Sequence, residues 1–496
     1  MKKNIFYKST RGNREKKLSA EAIIYGIAED GGLFIPTETP QINIDFDQLK
    51  KLDYNELAYQ IMRKYFTDFT ENELRHCIKL AYNEKFDTSI IAPVEKKAGM
   101  YFLELFHGPT LAFKDMALSI LPHLLQIALN KLNLNKEVII LTATSGDTGK
   151  AALEGFSNVS GTKIIVFFPQ EGVSIIQKKQ MLTQEGENTH VIGILGNFDD
   201  AQRGVKEIFN DPIFHEEIQK NNMILSSANS INVGRLIPQI VYYFYAYLKM
   251  LKDEEIVRGE KINFVVPTGN FGNILAAYYA RKMGLPVNKL ICASNENRVL
   301  TDFFRTGKYD RRRELIMTIS PSMDILISSN LERLLSITSN NNAERIKKII
   351  NDLKEKGFYQ VCTDIQNEFS VFYSGCALQE EAIQSIREVF KSSNYLIDPH
   401  TAVGYTVYRK YLSETQDKTK SVIIATASPF KFTKSVMKAI NKKFENFDDF
   451  ELINKMADLS QSSIPKGIKD IKKKPILHKT VCSKEKMKEK LEEILF

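Results

Sequence analysis

Cysteine is scarce in this sequence. Its five residues (Cys77, Cys292, Cys362, Cys376, Cys482) form an odd, scattered set with no CxxC pair among 496 positions. That excludes a disulfide framework and a zinc knuckle, so no metal site is expected, and the thiols read as small buried hydrophobes in a reducing compartment. Long apolar runs are also missing. The longest, 237–251, is interrupted by Pro238, Gln239 and Lys249 and is too short to span a bilayer. No apolar stretch follows Met1 to Tyr7, so neither a signal peptide nor a membrane partner is expected, and the location read from this is cytoplasmic. No internal repeat is visible. Charge of one sign is not dominant: 68 basic against 60 acidic residues leave +8. Ten lysines and five acidic residues from position 461 onward supply +5 of that, leaving +3 for all the rest. The body therefore lacks a nucleic-acid footprint, and the Lys-rich tail reads as a solvated face.

What remains is ordinary globular composition, 43% apolar and 26% charged, at a length that suggests two or three domains. Residues 1–92 carry helical spacing, at 19–28 and again over 49–82, and form a mainly helical N-terminal domain. Beyond Pro93 the texture changes. Continuous apolar strands at 138–141, 163–168, 190–195, 263–266, 290–293 and 422–425 alternate with helices, the pattern of a parallel sheet covered on both faces. The α/β region extends over 93–435, with 311–388 reading as a helical insert and 436–496 as a Lys-rich C-terminal extension.

Loops at the carboxyl ends of parallel strands are the default ligand sites in such a fold. The first candidate runs Thr142-Ala143-Thr144-Ser145-Gly146-Asp147-Thr148-Gly149-Lys150. It is not a P-loop, because Thr144 stands where the first Gly is required and Ala151 where the Mg²⁺ hydroxyl belongs. A hydroxyl-rich anion cradle and an ordinary helix start capped by Ser145 or Asp147 fit it equally. The second, Thr268-Gly269-Asn270-Phe271-Gly272-Asn273, suits either a phosphate held by amides and a helix dipole or a tight βα turn. In the third, Lys114 follows Leu111, Ala112 and Phe113; desolvation there would lower its pKa and open Schiff-base chemistry, although most lysines are solvated surface charges. The fourth offers Asn229, Ser230 and Arg235 for one oxyanion, or a capped helix with a surface Arg.

Taken together and in order, these segments resemble the threonine synthase family, pyridoxal-phosphate (PLP) enzymes of fold-type II, in its longer subgroup with an N-terminal domain. The resemblance begins with Tyr7-Lys8-Ser9-Thr10-Arg11 and Asp30-Gly31-Gly32-Leu33-Phe34-Ile35-Pro36. It runs through the four loops to Asp398-Pro399-His400-Thr401-Ala402-Val403-Gly404-Tyr405 and Thr426-Ala427-Ser428-Pro429-Phe430-Lys431-Phe432. Starting at Tyr7, it leaves no room for an organellar transit peptide. Ser428 and Phe430 replace a His and an Ala of the usual family pattern.

The resemblance implies two parallel-sheet α/β subdomains around a cofactor cleft, with Lys114 as the PLP lysine. It implies that Gly269, Asn270, Phe271, Gly272 and Asn273 cradle the cofactor phosphate, that Thr426 bonds the pyridine nitrogen, and that Asp147 lies near the cofactor 3′-oxygen. Thr144, Ser145, Thr148, Asn229, Ser230 and Arg235 are then substrate-phosphate residues. The implied reaction is γ-elimination and β-addition of water, turning O-phospho-L-homoserine into L-threonine and phosphate at the last step of threonine biosynthesis, in a monomer. Alternatives on the same scaffold are a phospholyase releasing 2-oxobutyrate from that substrate, a related PLP dehydratase, and a non-catalytic PLP-binding protein.

Overall fold

The computed structural model describes residues 4–13 and 15–496. In chain order the strands are β1 (Tyr7–Ser9), β2 (Phe34–Pro36), β3 (Val94–Lys97), β4 (Met100–Glu104), β5 (Glu137–Ala143), β6 (Thr162–Pro169), β7 (Thr189–Leu195), β8 (Met223–Ser226), β9 (Ile262–Pro267), β10 (Val287–Ser294), β11 (Lys308–Asp310), β12 (Phe358–Gln360), β13 (Phe372–Cys376), β14 (Ser421–Ala425) and β15 (Val481–Ser483). Two large sheets carry the α/β architecture. One has the order β13-β10-β9-β14-β4-β3, parallel except for β3, which runs antiparallel to β4. The other, β15-β7-β6-β5-β8, is parallel throughout. β1–β2 and β11–β12 are antiparallel pairs.

Side chains alternate across a strand, so the apolar runs bury both faces. Val138, Ile140, Ile164 and Val166 enter a central core, while Ile139, Leu141, Ile165 and Phe167 supply an outer one. In the six-stranded sheet Phe264, Val266, Val422 and Ile424 join the same central core. Val265, Ile291 and Ile423 face a layer made by the helices Gln379–Ser393, Pro399–Thr415 and Thr433–Ile440. Ile23, Ile24 and Tyr65 of the N-terminal region belong to the central core too. The first helix, Ser19–Tyr25, holds the loop after β8: Ser226 Oγ donates to the Ile24 carbonyl at 2.6 Å and Asn232 Nδ2 to the Ile23 carbonyl at 2.9 Å.

Four expectations change. The helical stretch expected over 49–82 is two helices, Tyr54–Met62 and Glu71–Ala81, because Thr70 and Glu73 form a capping box that starts a second one. The insert at 311–388 is not purely helical. It contributes β12 and the edge strand β13, whose Phe-Tyr-Ser-Gly-Cys sequence lacks the β-branched run that marks central strands. The C-terminal extension is built into the fold rather than laid over it. β15 extends the five-stranded sheet, and the helix Met487–Leu495 buries Met487, Leu491 and Leu495 in the outer core with Val205 and Ile208. The cysteines follow their expected burial only in part: Cys77, Cys292 and Cys482 are buried, Cys376 is half-buried and Cys362 is exposed. Among the described residues no helix is long and apolar enough to cross a membrane.

Candidate active site

Each candidate loop leaves the carboxyl end of a parallel strand, and the two sheets aim these ends at one cleft. β4 leads to Lys114, which precedes the short helix Asp115–Leu118. Leu111 adopts φ of 62° to make the turn, and Thr110 fixes it by donating from its N–H and hydroxyl to Asp115 at 2.8 and 2.6 Å. An isolated bridge between Ala112 and Ala427, with Phe113 N–H donating to the Thr426 carbonyl at 2.8 Å, locks this turn to the loop after β14.

Lys114 is buried, its Nζ 3.2 Å from Asp147 Oδ2 and 3.2 Å from Ser322 Oγ. Asp147 is the first residue of the helix Asp147–Phe156, where the helix dipole favours a carboxylate. Its Oδ1 receives Lys431 Nζ at 2.6 Å and Gln177 Nε2 at 2.7 Å. Burial alone would raise the Asp147 carboxyl, but the Lys431 and Lys114 ammonium groups outweigh it and hold the group well below the usual carboxylate range. Burial pushes the Lys114 amine below the ordinary lysine value; Asp147 opposes this and Lys431 adds to it.

Lys114 stands at the junction of two cavities. A narrow one of about 70 Å³ lies against the 269–273 loop, Thr426, Arg235 and His400, and a wide one of about 530 Å³ against Thr144, Ser145, Asn229 and the N-terminal region. Lys114, Thr148, Ser230, Asn270 and Ser322 line both, whereas Asp147 belongs to the narrow one. Phe271 takes φ of 61°, and Gly272 begins the helix Gly272–Lys282, so this loop directs a helix N-terminus at the narrow cavity. Among the described residues, Asn273 Nδ2, Arg235 Nε and Asn270 Oδ1 find no hydrogen-bond partner in this buried place. Two orphaned donors, one of them cationic, beside a helix N-terminus match a phosphate group. A Cβ on Gly269 would come to 2.6 Å from the Ser322 carbonyl oxygen. Gly269→Ala is expected to push the loop from Ser322 and weaken cofactor binding by about tenfold or more, the scale of an overpacking cost. Titration of cofactor-stripped protein by absorbance checks this.

Two residues sit differently from their sequence reading. Thr144, rather than Ser145 or Asp147, caps the helix: its Oγ1 accepts from the Gly146 and Gly149 N–H groups at 2.9 and 2.8 Å, leaving only its O–H to donate. Arg235 does not join Thr144 and Asn229 on the wide cavity. Its helix starts at the Asn232 cap, its side chain turns back so that Nη1 donates to the Ala228 carbonyl at 2.7 Å, and it lines the narrow cavity.

Four polar side chains at the centre carried no assigned role in the sequence. Lys431 and His400 lie within motifs quoted above, and Gln177 closes a capping box with Ser174. Ser322, in a short 3₁₀ turn of the insert, has no sequence signal. His400 Nδ1 donates to Asp398 Oδ2 at 2.6 Å and Nε2 accepts the Ser322 N–H at 3.2 Å, which holds that turn over the site. Ser428 and Phe430 face neither cavity. They line a third, of about 390 Å³, beside Glu104 and His107, so their departure from the family pattern falls behind the site wall.

Comparison with known proteins shows what the chain is similar to. Family models described as threonine synthase N terminus, pyridoxal-phosphate dependent enzyme, and threonine synthase, C-terminal, match residues 6–82, 91–347 and 401–481. Threonine synthase-like 1 of Macaca fascicularis is 41% identical over 86% of this chain and 59% of its own length, so the chain spans about three fifths of the first curated relatives it matches. Threonine synthase of Saccharomyces cerevisiae is 38% identical over 89% of this chain and 90% of its own. The crystal structure of PLP-bound threonine synthase from Brucella melitensis superposes with a TM-score of 0.85 at 34% identity, covering 99% of this chain and 98% of that one.

Proposed function

The chain belongs to the threonine synthase family, and from that premise we propose that it converts O-phospho-L-homoserine and water into L-threonine and phosphate. The observation that carries this reading is a desolvated Lys114 between a narrow cavity with orphaned phosphate donors and a wide one rich in hydroxyl and amide groups. Pyridoxal phosphate would be held with its phosphate in the narrow cavity, where the orphaned donors lie. Lys114 would hold it covalently, Gly269, Asn270, Phe271, Gly272 and Asn273 with Arg235 would take its phosphate, and Thr426 and Asp147 would flank its ring. When bound, it supplies the electron sink that lets protons leave Cα and Cβ and the γ-phosphate depart.

The protein's own groups do the rest. Lys114 would serve as the base toward the Cα and Cβ protons, work that needs a neutral amine, and burial favours that form. Thr144, Ser145, Thr148, Asn229 and Ser230 offer hydroxyl and amide donors to the departing phosphate on the wide side. Water must then add at Cβ, which distinguishes the synthase from a phospholyase. The reading calls for a small-molecule substrate, no nucleic-acid or membrane partner, a cytoplasmic monomer and a catalytic region at 93–435.

Incubation of the holoenzyme with O-phospho-L-homoserine tests it. Threonine and phosphate in equal amounts are expected; phosphate with 2-oxobutyrate would replace the synthase by a lyase, and absence of both would overturn the substrate.

A further inference from the structure

Lys431 is a lysine with no exposure at all, placed by the 3₁₀ turn Pro429–Phe432 within reach of two acceptors. Its Nζ lies 2.6 Å from Asp147 Oδ1 and donates to the Thr110 carbonyl at 2.8 Å. Gln177 also bonds Oδ1, at 2.7 Å, so that oxygen is fully engaged and the carboxylate plane is fixed. Oδ2 is thereby left to Lys114 and Ser322, both at 3.2 Å. One carboxylate thus bridges two ammonium groups, and only one of the two lysines stands at the junction of the cavities.

We propose that Lys431 is a positioning residue for Lys114: acting through Asp147, it orients Oδ2 toward the Lys114 amine and, as a second cation on the same carboxylate, weakens the hold of Asp147 on a proton at Lys114. This deepens the reading of Lys114 given above and rests on it. The other ionisable groups that face the cluster are Arg235, His400 and Asp115. His400 donates at Nδ1 to Asp398 and accepts at Nε2 from Ser322, the pattern of a neutral ring, and Asp115 is tied to Thr110. Neither takes the place of Lys431 on Oδ1. Arg235 lies on the narrow-cavity wall with its Nη1 on Ala228.

The sign of the effect follows from charge. Without Lys431, Asp147 is a carboxylate committed to Lys114 alone, so the protonated form of the Lys114 nitrogen gains stability. The measurement is a pH titration of the holoenzyme's visible cofactor absorbance, with the acid limb of kcat recorded alongside. Lys431→Met is expected to raise both midpoints by about one pH unit or more, the usual size of an opposite-charge effect at this range. Lys431→Arg keeps the parent midpoints. Lys431→Met combined with Asp147→Asn removes the anion as well and brings the midpoint below that of Lys431→Met. If Lys431→Met alone does not fold, Lys431→Gln, which keeps a donor for Oδ1 without the charge, takes its place and must show the same rise.

Midpoints in Lys431→Met within about 0.3 unit of the parent, with cofactor bound, would overturn the proposal. Failure of the underlying reading looks different: Lys114→Ala would then keep the parent's absorbance titration.

Discussion

Lys114→Ala is expected to abolish turnover, lowering kcat by about 10³-fold or more, and to remove the characteristic visible absorbance of the bound cofactor. The proton-transfer part alone is worth about 10²–10⁴ when a positioned base is removed, and loss of the covalent tether adds to it. Folding should survive. Asp147, the group most exposed to the change, keeps Lys431, Gln177 and Ser322 as donors, so no buried carboxylate is orphaned. Lys114→Arg separates charge from chemistry: it can maintain an ion pair with Asp147 yet cannot form the linkage, and should be as inactive as the alanine variant. The checks are steady-state phosphate release, an absorbance spectrum and a melting curve on each variant. Activity within tenfold of the parent in Lys114→Ala would remove this residue from the chemistry altogether.

Much of the scaffold was legible because parallel sheets covered on both faces write themselves as uninterrupted apolar runs. The strands at β5, β6, β7, β9, β10 and β14 announce themselves in this way. β13 and β15 did not. An edge strand needs only partial burial, so Phe372-Tyr373-Ser374-Gly375-Cys376 and Val481-Cys482-Ser483 carry weak signals and are fixed by neighbours distant in sequence. The same contrast holds at the site. Loops following strong strands, such as 269–273 after β9, are found by walking off the strand's carboxyl end. Ser322 reaches Lys114 from a turn inside the insert, 208 positions further along the chain, and no local pattern marks it. Lys431 stood in a motif, but its pairing with Asp147 is a tertiary fact: composition cannot tell a buried lysine from the solvated majority.

Arg235 shows how the grouping of residues into sites depends on that tertiary information, and it gives the second large effect. Its spacing from Asn229 and Ser230 allows one oxyanion clamp, and the family resemblance implies the substrate phosphate as its ligand. The fold instead turns the guanidinium toward the narrow cavity, beside Asn273 and the helix N-terminus at Gly272, with Nε unpaired. Burial pushes the guanidinium down to about 10, so it remains cationic at neutral pH, and among the described residues no carboxylate pairs with it. A buried cation with no counter-charge calls for an anionic ligand, and the adjoining Gly269 approach to Ser322 shapes the space for a small one. Arg235→Ala is therefore expected to raise the cofactor dissociation constant about 10- to 150-fold, the equivalent of about 1.5–3 kcal/mol for a charge-assisted hydrogen bond. With the variant saturated by excess cofactor, KM for O-phospho-L-homoserine should stay within about threefold of the parent, because uniform substrate binding would be untouched. Equilibrium dialysis of the cofactor and KM at saturating cofactor separate the two sites. Unchanged cofactor affinity with a KM raised about tenfold or more would move Arg235 to the substrate phosphate and return it to the company of Thr144 and Asn229.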